Sequence, residues 1–263
     1  MTNPIDIQVN GHRATVTLRR PEVRNAFNDE TIAQLAQAFE TLGARADLRC
    51  IVLAADGPAF CAGADLNYMK RMSGFGFDDN LADARRLAGM LNTIHACPIP
   101  TVARIQGDVF AGGMGLVAAC DIAVTVDSAR FCLSEVNLGL VPATIGPFVL
   151  RAMGARAAHR YFLTGERFSA AEALRIGFVH ESVPVAQLDD TVERVVGALL
   201  NAGPAATRSA KAFVRDVAGR AIDAALIEST ARSIAELRGS DEGREGIRSF
   251  LEKRSPAWRG NAS

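Results

Sequence analysis

The stretch Pro100–Pro142, PTVARIQGDVFAGGMGLVAACDIAVTVDSARFCLSEVNLGLVP, most tightly limits what this chain can become. Two apolar runs of strand length, Thr101–Ile105 and Ile122–Val126, flank a loop ending in Ala111-Gly112-Gly113 and a short helical pattern of small residues, Met114–Cys120. A lone carboxylate, Glu135, follows in an otherwise apolar segment. Glycines let a ligand come close to main-chain N–H groups, so the stretch points to backbone donors with one acid or base beside them.

Gly113-Met114-Gly115-Leu116-Val117-Ala118 matches the form of the dinucleotide fingerprint GxGxxG/A, and Glu135 lies downstream of it. The context excludes that reading. Only about six residues separate the turn from Asp121 and the next strand, too few for the crossover helix of a βαβ unit. Glu135 also falls beyond the end of the second strand instead of at it.

A different chemistry accounts for more of the chain. A carbonyl oxygen that turns negative in a transition state is stabilised by two preorganised N–H donors, and a helix N-terminus adds its positive end. Gly112, opening the small-residue helix, offers one donor. Ala64, in the second small-residue turn Ala62-Gly63-Ala64, offers the other.

The rest of the chain supplies a scaffold. Ile5–Val9 and Ala14–Leu18 around Asn10-Gly11 predict a β-hairpin. Asn28-Asp29-Glu30 starts a helix running to about Gly43, and Arg49–Ala55 is an apolar run of the kind buried on both faces. Asn80–His95 reads as a helix, Val149–Met153 and Ala155–Leu163 as helices divided at Gly154, and Ser169 caps Ala170–Arg175. Phe178–Val183 reads as a short strand. From Gln187 to Lys253 the pattern is helical, broken at Gly203-Pro204 and Gly239. The chain therefore divides into a core over residues 1–198 and a helical region over 199–263.

Composition narrows the function. The net charge of zero argues against a nucleic-acid partner held by charge, and no apolar run is long enough to span a bilayer, so the expectation is a cytoplasmic protein. The five cysteines are scattered without CxxC spacing and read as reduced, buried thiols. The four histidines form no metal spacing, so no metal is expected.

These residues resemble the enoyl-CoA hydratase/isomerase (crotonase) superfamily. The resemblance runs through RRPEVRNAFN at Arg19–Asn28, AFCAGADL at Ala59–Leu66, the Pro100–Val126 block, SEVNLGLVPA at Ser134–Ala143, TGERFSAAEALRIGFVHESV, and REGIRSFLEKR near the end. It implies an α/β, crotonase (ClpP-like) fold of repeated ββα units, with a C-terminal helical region that assembles a homotrimer or a dimer of trimers. It also implies an acyl-CoA thioester substrate, with coenzyme A part of that substrate and no separate cofactor.

By this resemblance Ala64 and Gly112 match the oxyanion-hole positions and Glu135 matches a catalytic glutamate. Ala62, Asp65 and Leu66 match positions lining the CoA channel, Arg24 is placed to meet the CoA phosphates, and Lys253 matches a lysine that reaches a neighbouring subunit's CoA site. Tyr68, Met69, Met72, Phe75 and Phe77 are expected in the acyl pocket. Standard hydratases of the family carry a second glutamate, and this chain has Gly115 in its place.

With Glu135 alone, two reactions stay open. One is hydration of an enoyl-CoA, including branched or carboxylated ones, since the patterns are most similar to bacterial methylglutaconyl-CoA and carboxygeranoyl-CoA hydratases of leucine and isoprenoid breakdown. The other is isomerisation of a β,γ double bond into conjugation, for which one carboxylate suffices. A third reading is a CoA-binding member of the fold without chemistry. Burial among Leu133, Val136 and Leu138 is expected to raise the pKa of Glu135.

Overall fold

The hairpin at the start of the chain pairs β1 (Ile5–Asn10) with β2 (Arg13–Leu18) antiparallel, and Gly11 turns it at φ 55°. Helix α1 (Asp29–Gly43) begins at Asn28, whose side chain accepts from the Thr31 N–H, and buries Ile32, Leu35, Phe39 and Leu42 on one face. Strand β3 (Cys50–Ala55) is buried at every residue, as its unbroken apolar sequence requires of a central parallel strand. These elements come from a computed structural model that describes residues 3–259.

A repeating unit follows. Strand β3 is succeeded by β4 (Ala59–Cys61) and then by α2 (Leu66–Met72) and α3 (Phe77–Ala96). Strand β5 (Thr101–Ile105) is succeeded by β6 (Asp108–Phe110) and α4 (Gly112–Ala119). Strand β7 (Ile122–Val126) is succeeded by β8 (Arg130–Cys132) and α5 (Gly146–Thr164), the last kinked at Gly154, where φ is 75° and ψ 158°. The first strand of each unit enters a six-stranded sheet, and the second enters a separate four-stranded one.

After β9 (Phe168–Ser169), α6 (Ala170–Arg175) and β10 (Glu181–Val183), the large sheet is complete in the order β1-β2-β3-β5-β7-β10 and the small one in the order β4-β6-β8-β9. Phe60, Val109 and Phe131, one from each of three adjacent short strands, are fully buried. The second strand of each ββα unit follows from the resemblance but not from the residue pattern. These strands are too short to show alternation, and they read as parts of loops.

The chain ends in α7 (Leu188–Asn201), α8 (Pro204–Val217), α9 (Ala224–Gly239) and α10 (Asp241–Leu251). The expected division at 198/199 falls inside α7, and the helical run first breaks at Ala202-Gly203. One face of α8 is fastened to the core by cations on carbonyls. Arg208 donates to the carbonyls of Arg45 and Leu48 beyond α1, and Lys211 and Arg215 donate to those of Ile99 and Ala96 at the end of α3. Positive side chains satisfy the carbonyls left open where helices end. Lys211, almost fully buried, also pairs with Asp121 at 2.6 Å. No helix among the described residues is long and apolar enough to cross a membrane.

Candidate active site

Strands β4, β6 and β8 are parallel neighbours, so their C-terminal ends open on the same edge of the small sheet. Ala64 lies just beyond β4, Gly112 just beyond β6, and Glu135 just beyond β8. The edge where parallel strands end is where open α/β sheets bind ligands. The three residues singled out in the sequence are brought to one edge by this pairing.

The connections are tied to each other. The Ala111 N–H donates to the Cys132 carbonyl at 2.8 Å, joining the second to the third. Gly63 has φ 90°, and a Cβ there would lie 3.4 Å from the Gly112 nitrogen and 3.2 Å from the Phe110 carbonyl oxygen, so the first abuts the second. Ala111 adopts φ 46° and ψ −119°, a backbone region that disfavours any residue with a side chain. That conformation turns the chain sharply from β6 into α4 and leaves Gly112 as the first helical residue. Among the described residues, neither the Ala64 N–H nor the Gly112 N–H donates to a backbone or side-chain acceptor. Two free donors, one at a helix N-terminus, form the kind of pair that holds a developing oxyanion.

Glu135 opens a short 3-10 turn, Glu135–Leu138, and is only partly accessible. Its Oε2 atom is buried without a hydrogen-bond partner among the described residues. Desolvation pushes its pKa above the ordinary carboxylate range, opposed in part by its own backbone N–H. Leu133 is buried and Val136 partly so, but Leu138 is 61% exposed and does not cover the carboxyl as the sequence suggested. The 3-10 turn carries it outward.

Gly115, where the resemblance leads one to expect a second acid, has no room for a side chain. A Cβ on Gly115 would lie 2.5 Å from Ile145 Cγ2, 2.9 Å from Ile145 Cβ and 3.3 Å from Leu91 Cδ1. Ile145 immediately precedes α5, thirty residues along the chain (145 − 115), and the packing of α4 on α5 brings it here.

The CoA-side candidates are placed unevenly. The Ala62 N–H donates to the Arg24 carbonyl at 3.0 Å, so Arg24 lies beside the loop that carries Ala62, Ala64 and the buried Asp65. Arg24 is exposed, at φ 54°, with no ion pair among the described residues. Asp65 has no free carboxylate for a ligand: Oδ2 pairs with Arg20 at 2.8 Å, and Oδ1 caps α2 by accepting from the Asn67 and Tyr68 N–H groups. Leu66 is 75% exposed at the start of α2, and Lys253 is exposed just beyond α10.

Of the expected acyl-pocket residues, Tyr68 is buried with its hydroxyl bound to Asp83, Met69, Met72 and Phe75 are half-buried, and Phe77 is largely exposed. The thiol of Cys61 is fully buried and pushed up to about 12 by desolvation, so it is no nucleophile. Two clefts lie away from this edge, of about 390 and 630 Å³. Ion pairs such as Arg104–Asp189 and Arg175–Glu172 line them.

The family model described as enoyl-CoA hydratase/isomerase matches residues 9–261. The chain belongs to this family. It is 39% identical to an enoyl-CoA hydratase of Shewanella pealeana of known structure, with a TM-score of 0.94 over 97% of this chain and 96% of that one. An enoyl-CoA hydratase structure from Mycobacterium smegmatis is 34% identical, with a TM-score of 0.90 over 97% and 98%. Enoyl-CoA hydratase domain-containing protein 3, mitochondrial, of Xenopus laevis is 30% identical over 92% of this chain and 82% of its own. The ββα repeat and the two sheets are the crotonase fold of these structures.

Sequence reasoning on this crotonase missed Asn25, Phe27 and Ile145. Asn25 carries a signal in retrospect, since Asn tolerates a left-handed backbone and it sits at φ 54°. Ile145 carries none.

The raised pKa of Glu135 has a sign that can be tested. The native state binds its proton more tightly than the unfolded chain, so stability falls as pH rises from the unfolded value of about 4.3 through the native one. Glu135→Gln removes that penalty. Thermal melts across pH are expected to show the variant more stable than wild type at neutral pH and the gain vanishing below about pH 4; a difference that ignores pH contradicts the account. Gly115→Glu, by forcing a side chain against Ile145, is expected to cost about 1–3 kcal/mol in urea unfolding. Adding Ile145→Ala should return most of that loss, and a single variant as stable as wild type would show that the space is open.

Proposed function

We propose that this protein adds water across the α,β double bond of an enoyl-CoA thioester. The observation that carries the proposal is two N–H groups and one buried carboxyl oxygen, all without a partner among the described residues, following three adjacent strand ends. The thioester oxygen accepts from the Ala64 and Gly112 N–H groups, which draws electron density from the β-carbon. Glu135 takes a proton from water as the water oxygen bonds to that carbon. The enolate charge rests on the thioester oxygen between the two donors, and the protonated Glu135 returns the proton to the α-carbon. Water and alkene are consumed in equal number, and the carboxylate is regenerated.

With Gly115, Ile145 and Leu91 in place of a second acid, the remaining hydrogen bonds to the water come from the substrate or from backbone. That favours a branched or carboxylated enoyl-CoA of the methylglutaconyl-CoA type, in keeping with the resemblance of the SEVNLGLVPA segment. Arg24 meets the CoA phosphates, and Ala62, Asp65 and Leu66 border the channel, the Asp65 carboxylate and N–H both being spent on holding the loop in place. Lys253 serves the site of a neighbouring copy. An assembly of three copies, or two such trimers, is supported by the exposed Val214, Ile222, Ile227, Phe250 and Leu251 on and around the C-terminal helices. Sedimentation as a monomer at assay concentration would end that part of the proposal.

The single carboxyl favours one other reading, an isomerase in which Glu135 carries a proton between the γ- and α-carbons. Purified protein is assayed with crotonyl-CoA, 3-methylglutaconyl-CoA and a β,γ-enoyl-CoA, with Glu135→Gln as control. Loss of hydration by about a hundredfold or more in the variant is the expected result. Bond migration without water addition would replace the hydratase reading by the isomerase one, and CoA binding with no turnover would overturn both.

A further inference from the structure

Phe27 meets the Gly63–Ala64 peptide unit and the residue Gly112, whose N–H groups are both free among the described residues. Its own N–H donates to the Gly63 carbonyl at 2.8 Å, and its carbonyl accepts from the Asp65 N–H at 3.0 Å, an isolated parallel bridge centred on Ala64. In a parallel ladder the residue between two bonded neighbours turns its own N–H to the opposite side. The bridge therefore directs the Ala64 donor away from Phe27. The ring reaches the other donor. A Cβ on Gly112 would lie 2.2 Å from Phe27 Cζ and 2.8 Å from Cε1, so the ring tip packs directly against the first residue of α4.

Phe27 is itself fixed by polar groups. Arg20 donates to the Ala26 carbonyl at 2.6 Å and to Asp65 Oδ2 at 2.8 Å, joining the residue before Phe27 to the residue after Ala64. Asn25, 2% exposed, donates to the carbonyls of Asp56 and Ala59 at 2.7 and 2.9 Å and accepts from the Arg20 N–H at 2.9 Å. The segment is thus anchored to the start of β4 as well as to the loop that follows it.

We propose that Phe27 is a positioning residue that sets the spacing of the Ala64 and Gly112 donors, its backbone registering the first and its ring the second, with Arg20 and Asp65 locking it in place. This rests on the reading that those two donors hold the thioester oxygen. A pair of donors works only when both lie about 2.7–3.1 Å from the oxyanion, so a small shift of one loop against the other weakens the transition state more than the bound substrate.

The test uses full-length protein and a readout that packing alone would not move. In Glu135→Gln protein, which halts turnover, the thioester C=O stretch of bound crotonyl-CoA labelled with 13C at the carbonyl is compared with that of the free compound by isotope-edited vibrational spectroscopy. A shift to lower frequency is expected from the two hydrogen bonds, and no shift would refute the two-donor reading itself. Phe27→Leu added to that protein is expected to shrink the shift. In the otherwise wild-type enzyme Phe27→Leu is expected to lower kcat about ten- to a hundredfold with KM changed much less. A full shift and unchanged kcat in Phe27→Leu, with the wild-type shift present, would overturn the positioning role while leaving the two-donor reading intact. Should Phe27→Leu not fold, Arg20→Lys, which keeps the charge but not the two-pronged bridge, is measured in its place with the same two outcomes.

Discussion

The parallel pairing of β4, β6 and β8 is the constraint on which the site depends. Neighbouring strands lie about 4.8 Å apart, so three chain segments leaving the same edge start within reach of one small ligand. Each strand is only three residues long, and none would hold its place alone. Phe60, Val109 and Phe131 fix them by packing into the core, between the long strands and the helices. The large sheet supplies stability, and the small sheet supplies direction.

Several local conformations at this edge carry a cost of their own. Ala111 holds a backbone shape suited to glycine, Asn25 and Arg24 both sit at φ 54°, and Glu135 keeps a buried oxygen without a partner. Residues in such regions cost about 1–3 kcal/mol each and persist only where surrounding contacts over-determine them. Here the contacts are the Ala111–Cys132 hydrogen bond, the Asn25 bonds to Asp56 and Ala59, and the Arg20–Asp65 pair. The left-handed or strained backbones of Ala111, Asn25 and Arg24 and the unsatisfied Glu135 oxygen meet at this edge, whereas the two clefts are lined by ion pairs such as Arg104–Asp189 and Arg175–Glu172.

Much of this was legible before the structure. Asn28 capping α1, the hairpin at Asn10-Gly11, the buried run of β3 and the two strands flanking the glycine loop follow from periodicity and turn chemistry. Ala64, Gly112 and Glu135 stand out in the sequence as candidates because small-residue turns beside strands and an isolated acid are conspicuous, and the structure brings them to one sheet edge. The small sheet was not legible from the residue pattern, since three residues cannot display a period of two. Nor was the apolar plug at Gly115, because Ile145 meets it through helix packing that leaves no local trace. Asp65 stands out in the sequence as a candidate, but nothing local shows that its carboxylate is spent on Arg20 and on the cap of α2. The apolarity of Leu138 suggests a buried neighbour of Glu135, but the 3-10 turn carries it outward. A further helix break at Gly219, with φ 78°, passed unnoticed among helix-forming neighbours.

The measurement that bears most directly on the central claim is a crystal structure of the Glu135→Gln protein with a bound enoyl-CoA. The account predicts the thioester oxygen within about 3.1 Å of both the Ala64 and the Gly112 nitrogens, with the side chain of residue 135 over the α- and β-carbons. A thioester oxygen that meets only one of those nitrogens, or an acyl group lodged away from the ends of β4, β6 and β8, would contradict it.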